Sequence, residues 1–144
     1  MSIIIGIDPD SKAHGVAIYE NGKLNELSSM TLLELMDMFD FGFEGLNKSS
    51  AVIHMEDVCA NNGIFRTGNN KKVQMSIARR LGMVQQSQIE LERLFEYYEI
   101  KVVKHKISKK WKKEKAEFER VTGWTGKSNE DTRSAAYFGF LGCR

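Results

Sequence analysis

This sequence has little cysteine, no long apolar run and no repeat. Its 144 residues contain two cysteines, Cys59 and Cys143. That is too few for a disulfide framework, and they lack metal-ligand spacing, so a reducing, cytoplasmic setting is expected. No segment approaches the roughly 20 apolar residues that cross a bilayer. No charged stretch precedes an apolar run with a small-residue cleavage site, so no secretory signal is expected either. Low-complexity tracts and linkers are missing, and residues 1–144 fit one α/β domain able to bury a core.

Charge is scarce in sum and uneven in place. The net charge is +2, yet the stretch from Lys101 to Lys115 holds eight lysines against one acid, Glu114. Acids gather between Glu34 and Glu44 and between Glu90 and Glu99. A basic block suits a polyanion approaching an acidic centre. The plainer alternative is a solvated lysine face. Trp111 inside the block favours nucleic acid, because an aromatic among lysines can stack on a base.

The elements follow from pattern. Residues 2–8 carry four isoleucines in an apolar run, as in a central strand covered on both faces. Residues 14–19 read as a second strand, and Asn21-Gly22 gives a type I′ hairpin into a third at 23–27. Thr31-Leu32-Leu33-Glu34 resembles a capping box opening a helix. Ala51 to Glu56 reads as a strand and 58–70 as loop. A long helix over roughly 72–98 carries an apolar stripe of Ile77, Leu81, Val84, Gln88, Leu91, Phe95 and Tyr98. Gly82 within it costs about 1 kcal/mol relative to alanine, which close packing inside the chain, or against a second subunit, would offset. Residues 100–104 predict a short strand and Trp111–Val121 a basic helix. Ser128 or Asn129 caps a final helix with Glu130 and Asp131 in its first turn.

Three acids stand out. Strand alternation puts Gly6 with Asp8, and His54 with Glu56, on single faces. If these strands are parallel neighbours, both acids emerge at one carboxyl edge, where α/β sheets place ligands. Asp131 can reach that edge from the last helix. Like charges so gathered need cations. Magnesium takes oxygen ligands and retains waters. Two such ions about 4 Å apart can activate water for phosphodiester cleavage.

Together, these segments resemble a known family. Ile5-Gly6-Ile7-Asp8-Pro9 with Gly15-Val16-Ala17-Ile18 resembles the first hairpin of RuvC-type Holliday junction resolvases, of the RNase H-like superfamily. The Glu56 strand, the long helix with Ala78-Arg79-Arg80-Leu81-Gly82, Trp111-Lys112-Lys113 and the segment from Asn129 to Ala136 follow in the order of phage-type relatives. The resemblance implies a mixed five-stranded sheet, first three strands antiparallel, flanked by helices. It implies a magnesium-dependent endonuclease on branched DNA, with two ions per site and manganese as a substitute. Asp8, Glu56 and Asp131 match the metal ligands. The family often has a further aspartate where this chain has Ser134, a poorer ligand, so Glu130 is a candidate helper.

The resemblance also implies a homodimer acting in recombination and repair, in a bacterial or phage-infected cytoplasm. Lys109, Lys110, Lys112 and Lys113 are expected on backbone phosphates, with Lys71 and Lys72 on the same strand. Phe65, beside Arg66, is expected to wedge against bases at the junction, or else to cover the core edge. Asp57 is expected in solvent, His54 in a structural role, and His14 and His105 have no nameable partners. Rival readings are an RNase H-like nuclease on RNA–DNA hybrids or flaps, and a junction-binding protein weakened by Ser134. A kinase or ATPase of the actin type needs two such domains, and the Walker loop is absent.

Overall fold

The computed structural model of the chain describes residues 2–42, 50–60 and 70–144. Phe65 and Arg66 lie outside them. Among the described residues five strands form one sheet: β1 (Ile3–Asp8), β2 (His14–Glu20), β3 (Lys23–Met30), β4 (Ala51–Glu56) and β5 (Lys101–His105). Their order is β3-β2-β1-β4-β5. β1 runs antiparallel to β2 and parallel to β4, and β2–β3 is antiparallel. β4 and β5 are parallel. This is the mixed, helix-flanked sheet expected above. Asn21 and Gly22 both take positive φ, 51° and 82°, so the hairpin turn is of the mirror-image type that matches strand twist.

Alternation along the strands builds two cores. Ile3, Ile5, Ile7, Ala51, Ile53 and Met55 face one side of the sheet. They pack against Leu35 and Phe39 of α1 (Leu32–Phe41) and Leu91, Leu94 and Phe95 of α2 (Lys71–Tyr97). Each fully buried side chain of this kind contributes about 1.5–3 kcal/mol. The other side holds Ala17, Tyr19, Leu24, Trp111, Phe118, Ala135 and Ala136. It is covered by α3 (Lys115–Thr122) and α4 (Glu130–Cys143).

Both predicted caps form. Thr31 and Glu34 exchange side-chain and backbone hydrogen bonds at α1, and Asn129 does the same with Thr132 at α4. The basic helix is shorter than expected, because Trp111 takes a φ of 68° and breaks helical geometry ahead of Lys115. The long helix is divided in use. Its buried residues are Gln88, Leu91, Leu94 and Phe95, while Val73, Met75 and Met83 in its first half are exposed. Gly82 is exposed, and among the described residues nothing lies within 4 Å of an added Cβ.

Candidate functional site

β1 and β4 are parallel in the register Ile7↔Met55, so Asp8 and Glu56 end neighbouring strands at one edge. The third acid arrives by close helix packing. A Cβ on Gly15 would collide with the Asp131 carbonyl, and one on Gly6 with that of Ala135. Two glycines thus seat α4 against β1 and β2, with Asp131 at the strand ends.

The three acids line one cleft of about 450 Å³. Lys109 and Lys112 enter it from the segment after β5, and Arg80, Ile77, Leu81 and Val84 of α2 also line it. Lys109 Nζ lies 3.4 Å from Asp8 Oδ1 and 3.5 Å from Glu56 Oε2. Burial pushes the Asp8 carboxyl up to about 7; Lys109 opposes the shift, and Glu56 and Asp131 add to it. Burial works against charge on Lys109 too, but Asp8 and Glu56 outweigh it and hold its pKa above the ordinary lysine value.

Among the described residues, no three His, Cys, Asp or Glu side chains group closely enough to hold a metal ion by themselves. An ammonium stands between two of the acids. The donor chemistry nevertheless fits a hard divalent cation. All three side chains offer oxygen, and two of them already hold a positive charge, the Lys109 ammonium.

The other expected site residues fall in several places. Glu130 is exposed, with Oε2 4.0 Å from Lys112 Nζ, and Ser134 is fully buried. Lys71, Lys72, Lys110 and Lys113 are exposed and Lys112 half-buried. Trp111 is a correction: it is 4% exposed and packed against Phe118, Tyr137 and Phe140, so its indole is core and has no face for a base. Asp57 is half-buried rather than solvated, accepting a 3.0 Å hydrogen bond from Gln88 Nε2.

The histidines all have partners. His54 Nδ1 and His105 Nε2 are 2.9 Å apart, and burial lowers the pKa of both. His14 Nδ1 accepts from the Asp10 N–H, fixing the turn after β1.

Two positioning residues went unread in the sequence. Arg133, buried on α4, donates from Nε to the Trp111 carbonyl, from one terminal nitrogen to Ser128 Oγ, and from the other to the Lys112 carbonyl. It ties the lysine segment to the helix bearing Asp131. Gln88, fully buried, accepts from the Cys59 N–H at 3.0 Å while holding Asp57, which fixes the chain just after Glu56. Gln88 occupies an apolar stripe position, and only its polarity there could have signalled this role.

No family model and no curated protein matches the chain. Among solved structures it is similar to T. thermophilus RuvC in complex with Holliday junction substrate. The TM-score is 0.45 at 12% identity, covering 99% of this chain and 94% of that one. A likeness this distant carries no argument about function.

Proposed function

We propose that the protein is a magnesium-dependent endonuclease selective for branched DNA, four-way junctions above all. The carrying observation is that Asp8 and Glu56 leave adjacent parallel strands into a cleft that Asp131 and two lysines share. The resemblance in motif order supports the same reading. Asp8, Glu56 and Asp131 hold the metal, with manganese able to substitute. Bound there, a divalent cation supplies Lewis acidity toward a backbone phosphate and an activated water.

The chain's own residues position the strand. Lys110 and Lys113 on the exposed segment and Lys71 and Lys72 at the start of α2 bind backbone phosphates on the approaches to the cleft. They give affinity that falls with salt and carries no base readout. Arg80 and Lys112 add positive charge at the wall. The products are 5′-phosphate and 3′-hydroxyl ends.

The working form is a homodimer in the cytoplasm, because paired nicks across a junction need two sites related by a two-fold axis. The exposed Val73, Met75 and Met83 on the first half of α2, with Gly82 open beside them, support a contact with a second copy. Its role is the resolution of branched recombination or repair intermediates, as in phage-infected cells.

The test incubates the protein with a synthetic four-way junction, linear duplex and RNA–DNA hybrid, with and without Mg²⁺. Paired, metal-dependent nicking of the junction is expected. Cleavage of the hybrid with the junction untouched would instead assign an RNase H-like activity. Junction binding without any cleavage would assign a binding protein.

A further inference from the structure

We infer that the Lys109 ammonium takes the place of a second divalent cation, so that this centre works with one bound ion per chain. The inference rests on the metal-dependent reading above and concerns how that site is built.

Three observations carry it. Lys109 Nζ lies 3.4 Å from Asp8 Oδ1 and 3.5 Å from Glu56 Oε2, which puts a positive charge between the two strand-end carboxylates. The lysine is also held in place. β5 fixes the chain before it, and Arg133 binds the carbonyls of Trp111 and Lys112 just after it. A side chain delivered from a backbone so fastened is a built element, unlike a solvated surface lysine.

The third observation is on α4. A residue three positions after Asp131 shares its helix face, and that residue is Ser134, neutral and fully buried, its Oγ without a hydrogen-bond partner among the described residues. That position therefore adds no further carboxylate for another ion, and Glu130, next to Asp131, is exposed with its carboxylate 4.0 Å from Lys112 Nζ.

An ammonium offers three N–H donors and no acceptor, so it can serve the phosphate as well as the acids. During hydrolysis, water oxygen forms the new bond to phosphorus. The bond from phosphorus to the 3′ oxygen breaks with its electron pair on that oxygen, and the proton lost by the water reaches it through solvent. Lys109 stabilises the charge growing on oxygen and keeps its own protons.

Calorimetric titration of the purified full chain with Mn²⁺ tests this without any cleavage readout. Wild type is expected to bind one ion per chain. Lys109→Met, which keeps the stem and removes the charge, should bind a second ion or hold the first about tenfold more tightly, because a like charge has left its side. Lys109→Arg should keep wild-type stoichiometry.

Two ions bound by wild type overturn the inference whether or not the methionine variant folds. Unchanged stoichiometry and affinity in a folded Lys109→Met overturn it too, with the metal centre intact. No Mn²⁺ binding by wild type overturns this inference and the metal-dependent reading together.

Discussion

Lys109 Nζ reaches across 101 residues of sequence to lie 3.4 Å from Asp8 Oδ1. The contact joins the end of β1 to the segment after β5 and counters part of the cost of burying Asp8, whose carboxyl is still pushed up from 3.8 to about 7 by burial and by Glu56 and Asp131. Between those two values the folded chain binds more protons at Asp8 than the unfolded chain does. Stability at this site therefore falls as pH rises from about 4 to 7. Urea unfolding in metal-free buffer should show Asp8→Asn gaining on wild type by roughly 2 kcal/mol between pH 5 and pH 8. Added Mg²⁺ should stabilise wild type more at pH 8 than at pH 5. Parallel pH profiles for the two proteins would remove the electrostatic burden assigned to Asp8.

Arg133 holds two carbonyls and a hydroxyl with one planar guanidinium. Arg133→Met should cost about 3 kcal/mol, since buried acceptors lose their donors. Arg133→Lys should recover little of it, because a single ammonium cannot span the three partners. The urea midpoint measures both. A loss under about 0.5 kcal/mol, the scale of ordinary surface changes, would mean that the lysine segment is held by other contacts.

Trp111 is a core residue. Trp111→Ala should destabilise the fold by about 3–5 kcal/mol, and Trp111→Phe by much less. At a temperature where Trp111→Phe is fully folded, its affinity for a four-way junction should equal that of wild type in a fluorescence anisotropy titration. A clear loss of affinity in that folded variant would restore the stacking role read from the sequence.

Lys110 and Lys113 are exposed and adjoin in sequence Lys109 and Lys112, which line the cleft. The double variant Lys110→Ala, Lys113→Ala should keep wild-type stability and bind junction more weakly, with the slope of log affinity against log salt lowered by about 1–2. An unchanged slope would place the DNA elsewhere on the surface.

Much of this architecture was legible because it rests on local rules. β-branched runs, the Asn21-Gly22 turn and the Thr31 and Asn129 caps each act within a few residues, and all are present. Strand alternation likewise put Asp8 and Glu56 on faces that meet once β1 and β4 pair in parallel. What escaped depends on long-range contact. Trp111 reads as a nucleic-acid residue among its lysines, yet the aromatic cluster of Tyr137, Phe140 and Phe118 lies in segments that periodicity does not bring to it. Gln88 and Arg133 look unremarkable in sequence, because all their partners but Ser128 lie 21 to 31 residues away. The apolar stripe of α2 is continuous in sequence, but the sheet and α1 cover only its second half.

The most direct test of the cation-binding acids is paired binding and cleavage of a synthetic four-way junction in Mg²⁺ by wild type and Asp8→Asn. Wild type should bind and nick it on both sides of the branch, and Asp8→Asn should bind with similar affinity while cutting at least about 100-fold more slowly. Cutting by Asp8→Asn at the wild-type rate would contradict the account.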